Sequence, residues 1–174
     1  MNKQFFRKSP THVIVTLGLL LAMEIILSRF FSIQTPFLKV SFSFVPLSMA
    51  AILYGPLPAA AMGALADFLG AVLFPVGAYF PGYTLTALLT GLVYGVFLYN
   101  RKITWWRVLS AVTVISLVLY LCLNTLWLYM TTEKAYLALL VPRIVKEAAM
   151  IPIQTVIIYL IGTRVITAQK KIAA

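Results

Sequence analysis

Residues 108–130 read VLSAVTVISLVLYLCLNTLWLYM, a run without one charged side chain. As a helix rising 1.5 Å per residue it measures about 34 Å, enough to cross a hydrocarbon core of ~30 Å. Five further apolar runs flank it, at 11–31, 37–54, 57–73, 82–99 and 138–166. The pattern predicts an all-α integral membrane protein, residues 1–174 forming a single bundle of six transmembrane helices. The runs at 37–54 and 57–73 are short for a full crossing, so tilt, local thinning or burial against neighbours is expected there.

The rest of the chain fits that solvent. Of 174 residues, 62% are apolar and only 10% charged, too few charges for the shell of a soluble domain. The net charge of +10 would suggest nucleic acid in a soluble protein. No basic stripe with interleaved aromatics is present, so nucleic acid is excluded as a partner and anionic membrane lipid takes its place. One side of the bundle receives Lys3, Arg7, Lys8, Arg101, Lys102, Arg107, Arg164, Lys170 and Lys171, while the other receives mainly Lys39 and Lys134. That asymmetry predicts N-in, C-in topology. It places the loops near 31–39, 74–82 and 131–139 outside.

Local chemistry explains the breaks. Gly55-Pro56 with Pro58 divides the second and third runs, and Phe74-Pro75-Val76-Gly77 and Phe80-Pro81-Gly82 frame the next turn. Pro46 and Pro152 fall inside runs and are expected to kink them. The N-terminal run passes Ala22 without a cleavage-site pattern, which reads as a retained first span. The lone Cys122 can form neither an internal disulfide nor a zinc cage, and reads as a small packed side chain.

Ionisable residues inside such runs are costly unless paired or hydrated, which makes each a site candidate. They are Glu24, Arg29, Asp67, Arg143, Lys146 and Glu147. Structural ion pairs between helices are the competing explanation. Arg143, Lys146 and Glu147 are spaced i, i+3, i+4 and share one helical face, where two cations beside one acid suit an anionic ligand. Asn124 can read the edge of a flat heterocycle, and Trp127, three residues on, offers a stacking face. Tyr79, Phe80, Pro81 and Gly82 form a stiff aromatic segment that can wall a planar ligand or anchor at the membrane interface. Gly18 with Ala22, and Ala59 with Gly63, make small-residue faces that allow close helix approach, within the bundle or to a partner.

The chain lacks a Walker A sequence, HExxH and GxSxG, its only histidine is His12, and it has no cluster of metal-ligand residues. No enzyme activity, cofactor or metal is expected. Five runs carry a family resemblance: Leu27-Ser-Arg-Phe-Phe-Ser-Ile-Gln34, Gly63-Ala-Leu-Ala-Asp67, Phe74-Pro-Val-Gly-Ala-Tyr-Phe-Pro-Gly82, Leu123-Asn-Thr-Leu-Trp127 and Pro142-Arg-Ile-Val-Lys146. On these the chain resembles the substrate-binding S components of energy-coupling factor transporters, and within them the folate-specific family.

The resemblance implies a multi-pass subunit of a bacterial plasma membrane that captures folate at the extracellular face. It implies a transmembrane coupling subunit and two ATP-binding subunits as partners, with Gly18 and Ala22 facing the coupling subunit. The chemistry of folate suits the residues already named. The pterin suits Asn124 with Trp127, Tyr79 or Phe80. The anionic glutamate tail suits Arg29, Arg143 or Lys146. Which cation meets which end stays open, as do another vitamin in the same architecture and a proton-coupled carrier built on Glu24 or Asp67.

Overall fold

Proline starts three of the described helices, at Pro10, Pro56 and Pro81. Pro56 and Pro81 each stand in the first turn, where the missing N–H costs nothing because that donor has no intrahelical acceptor. The computed structural model describes residues 10–34, 39–75, 79–132 and 136–173. Its elements are α1 (Pro10–Arg29), β1 (Ser32–Gln34), β2 (Lys39–Ser41), α2 (Phe44–Tyr54), α3 (Pro56–Leu73) and α4 (Pro81–Leu98). They are followed by α5 (Trp105–Val114), a π-helical segment (Ile115–Leu123), α6 (Asn124–Thr132) and α7 (Tyr136–Ala173). The segment from α5 through α6 runs on as one span.

Among the described residues, five helical stretches are long and apolar enough to cross a membrane: Pro10–Arg29, Pro56–Leu73, Pro81–Leu98, Trp105–Thr131 and Leu140–Thr167. The expected second span, 37–54, is different. Its start is strand β2, paired antiparallel with β1 in the register Ser32–Ser41, Ile33–Val40 and Gln34–Lys39. Only Phe44–Tyr54 is helical, about 16 Å at 1.5 Å per residue. The fold is therefore helical with one small hairpin. Helix α2 can be short because it packs against α1, α3, α4 and α7 and is mostly buried. Pro46 falls in its first turn, where it replaces an unused donor and requires no kink. Helix α7 contains Pro142 and Pro152 internally.

Lipid supplies no hydrophobic drive between helices, so close packing of small residues has to supply attraction. The α3–α4 seam is built that way. A Cβ placed on Gly63 would lie 2.8 Å from the Ala87 carbonyl oxygen, and one on Gly91 only 2.5 Å from that of Ala59. At the α2–α3 corner Gly55 has φ +92°, a conformation that other residues rarely adopt, and the ring of Tyr99 lies against it. Tyr94, Leu98, Val108, Val112, Ile115 and Ile158 are fully buried and fill one end of the bundle. Large apolar side chains such as Val15, Leu57, Val72, Val96, Val145 and Leu160 face outward. So does Cys122, which is exposed and not packed as expected, because it falls on the outer side of the π segment. The end opposite the apolar core holds a polar cavity.

Candidate functional site

Every span contributes to that cavity, which has a volume of about 420 Å³ and four basic and three acidic side chains in its lining. Helix α7 brings Arg143, Lys146, Glu147, Met150 and Gln154, a face repeating at three and four residues. Lys146 Nζ lies 2.6 Å from Glu147 Oε1 and 5.6 Å from the centre of the Tyr120 ring. The pair is adjacent in sequence and largely buried, and Glu147 Oε2 has no hydrogen-bond partner among the described residues.

The π segment decides what faces α7. The Asn124 N–H donates to the Leu119 carbonyl, five residues back, and not to that of Tyr120. Arg143 Nη1 donates to the Tyr120 carbonyl at 3.4 Å and to Thr125 Oγ1 at the same distance. Tyr120, Asn124 and Leu128, one turn apart in succession, line the cavity, and Asn124 Oδ1 is buried without a hydrogen-bond partner among the described residues. Wide helical turns of this kind recur at functional sites because they re-aim side chains.

A second polar group gathers at α1, α3 and the hairpin. Arg29 ends α1 over Gly70, where a Cβ would come within 2.9 Å of its Nε. Its Nη2 reaches the Asp67 backbone carbonyl at 3.5 Å, and its buried Nε has no hydrogen-bond partner among the described residues. Asp67 Oδ2 accepts from Thr84 Oγ1 at 2.8 Å, which also pairs with the Tyr79 hydroxyl at 3.0 Å. Lys39 on β2 is exposed as a residue, yet its ammonium is crowded by the pocket rim. Burial first, then the Arg29 charge, lowers its pKa from 10.5 to about 8, against the opposing pull of Asp67 and Glu24. Glu24 lies deeper on α1, at 7% exposure.

Aromatic rings close the side between α4 and α6. Phe80 packs edge-on to Tyr83 at 6.2 Å and tilted against Trp127 at 5.6 Å. The Trp127 indole N–H donates to Thr86 Oγ1 at 3.1 Å. Gly82 makes that seat possible, since a Cβ there would fall 2.6 Å from both rings.

Comparison with known proteins gives this geometry its setting. Residues 12–162 match the family model described as ECF transporter, substrate-specific component. The chain belongs to that family. A folate transporter FolT of Clostridium novyi is 45% identical over 148 residues, covering 85% of this chain and 86% of that one. A folate transporter FolT of Leuconostoc mesenteroides is 38% identical over 173 residues, covering 95% and 93%. A crystal structure of FolT bound with folic acid superposes with a TM-score of 0.85 at 38% identity, covering 88% of this chain and 94% of that one. As an ECF substrate-specific component, the chain is a multi-pass membrane protein and a transport subunit, not an enzyme.

The structure brings Arg29, Tyr79, Phe80, Asn124, Arg143 and Lys146 to the wall of one cavity. Pro81 and Gly82 instead form the first turn of α4. Trp127 stands behind Phe80, its N–H already engaged by Thr86, so it supports the wall instead of presenting an open face. Gly77 and Ala78 of the aromatic segment lie outside the described residues. The small faces separate. Gly18 and Ala22 are exposed, and a Cβ on Gly18 would meet nothing within 4 Å. Ala59 and Gly63 are buried in the α3–α4 seam, so of the two roles open to them, packing within the bundle or contact to a partner subunit, the structure shows the first and corrects the second. Sequence reasoning missed Lys39, Thr86, Thr90, Tyr120 and Gln154 as pocket residues. The i, i+4 spacing of Thr86 and Thr90, and of Tyr120 and Asn124, was the available signal.

Proposed function

We propose that the chain is the folate-binding subunit of an ATP-driven importer, taking folate at the extracellular face of a bacterial plasma membrane. In this reading the chain crosses N-in and C-in, with α2 counted as a sixth, partial span. The polar end of the bundle faces out. A transmembrane coupling subunit and two ATP-binding subunits supply the energy, and the exposed Gly18 and Ala22 form the contact to the coupling subunit.

One observation carries the proposal. A cavity of about 420 Å³ combines Arg29, Lys39, Arg143 and Lys146 with an aromatic wall, in a fold whose relatives are folate transporters. Its cations suit a dicarboxylate tail, and its rings and amides suit a flat heterocycle. Titration calorimetry of the purified chain in detergent tests it. Saturable binding of folic acid at micromolar concentration or below is expected without any partner subunit. A well-folded chain that gives no binding heat in that range overturns the ligand.

A further inference from the structure

The polar lining of the cavity is sorted by depth. Arg29, Lys39 and Tyr79 lie partly open at its mouth, whereas Glu24, Thr90, Glu147 and Gln154 are at least nine-tenths buried. Among the described residues, the buried atoms without a hydrogen-bond partner in the inner part are Glu24 Oε2, Glu147 Oε2, Gln154 Oε1 and Asn124 Oδ1. Carboxylate oxygens can only accept when ionised, so this floor asks for donors. The unpartnered buried nitrogen, Arg29 Nε, belongs to the mouth. Lys146 is engaged by Glu147, and Arg143 by the Tyr120 carbonyl and Thr125, so the cations at the mouth, Arg29 and Lys39, are left to meet an anionic end while the floor takes donors.

Among the three carboxylates of the lining, two are already engaged. Asp67 accepts from Thr84, and Glu147 is paired with Lys146. Among the described residues, the buried Glu24 Oε2 has no hydrogen-bond partner, and no ion pair to Glu24 within 4 Å is present. A carboxylate at 7% exposure with an unused oxygen is costly to keep unless a partner arrives. Its chemistry matches two parallel N–H groups, the arrangement that lets one carboxylate accept twice.

We propose that Glu24 is a specificity-determining residue that receives the amino-amidine edge of the ligand at the cavity floor. The ligand then enters head first, with its anionic end left at Arg29 and Lys39. This rests on the folate reading above, since the 2-amino group and the neighbouring ring N–H of a pterin are such a donor pair.

Calorimetry on the purified full chain tests it with two probes, folic acid and its 2-desamino-2-methyl analogue, which lacks the exocyclic donor. Wild type is expected to bind the analogue about ten- to hundredfold more weakly. In Glu24→Gln, folic acid should weaken by a similar factor and the preference should shrink to about threefold or less. Equal affinity of wild type for both probes overturns the proposal, as does a folded Glu24→Gln that keeps the full preference. Where Glu24→Gln does not fold, Glu24→Asp replaces it. That variant sets the charge back by one methylene and should lose part of the preference, and a full preference at wild-type affinity overturns the assignment. Wild type that binds no folic acid overturns both this and the folate reading, whereas folic acid bound without preference overturns Glu24 alone.

Discussion

At the scale of single residues, Lys39 and Lys146 show how the same side chain differs by setting. The Lys39 ammonium titrates near 8, held down chiefly by burial and then by Arg29. It is protonated below that pH and neutral above it, so its grip on an anion fades as pH climbs through about 8. Folate affinity should fall more steeply between pH 7 and 9 in wild type than in Lys39→Gln. The ligand's own titration is common to both proteins and cancels in their ratio. A parallel pH profile for the two would remove Lys39 from the site. Lys146 is instead tied to Glu147 at 2.6 Å. Lys146→Ala leaves a carboxylate at 3% exposure uncompensated. The expected loss of stability is about 3 kcal/mol, the low end for a broken buried pair, because the Lys146 side chain keeps 19% exposure. Thermal unfolding in detergent should show it, and adding Glu147→Gln should recover most of it. Arg29→Ala and Asn124→Ala should each weaken folate binding about ten- to hundredfold by calorimetry. The candidate site was only partly legible in the sequence. Arg29, Asn124, Arg143 and Lys146 stood out because polar groups in apolar runs are conspicuous. Lys39 did not, because it stands where the loop near 31–39 meets the start of the run at 37–54, and a cation at such a boundary is ordinary until a hairpin folds it over a pocket.

At the scale of elements, the α3–α4 seam and the start of α4 have different jobs. Gly91→Ala puts a methyl 2.5 Å from the Ala59 carbonyl oxygen and 2.6 Å from its carbon, which are backbone atoms and cannot swing aside. The two helices must separate, and a loss of about 1–3 kcal/mol is expected in thermal unfolding. Gly82→Ala meets the rings of Phe80 and Trp127 instead. Those rings can turn, so that variant should lose folate affinity in calorimetry while keeping most of its stability. The elements themselves follow the apolar runs to within a few residues, except in two places. Residues 37–54 are apolar enough to suggest a span, yet strand pairing at Lys39–Ser41 shortens the helix to Phe44–Tyr54. Apolarity alone does not distinguish a buried short helix from a lipid-facing one. The π segment at Ile115–Leu123 has no local sequence signal either, since its extra residue is stabilised by the contact between Arg143 and Tyr120.

At the scale of the whole molecule, one end of the bundle is dry and the other holds the cavity. Exposed Gly18 and Ala22 lie on α1. Gly18→Leu with Ala22→Leu should abolish folate uptake in cells that supply the partner subunits, while the isolated chain binds folate unchanged. Loss of binding in the isolated chain would assign those positions to the fold. The solvent and all but the second of the spans are legible in the apolar pattern of the chain, because hydrocarbon demands long apolar runs whose backbone bonds close internally, a requirement each run meets or fails locally. The sequence also marked most of the expensive polar groups. Which of those groups meet, which are already paired, and which face an open cavity depends on how the helices pack. Those are contacts between residues as distant as Arg29 and Asp67 or Tyr120 and Arg143, and they depend on how the helices lean on one another.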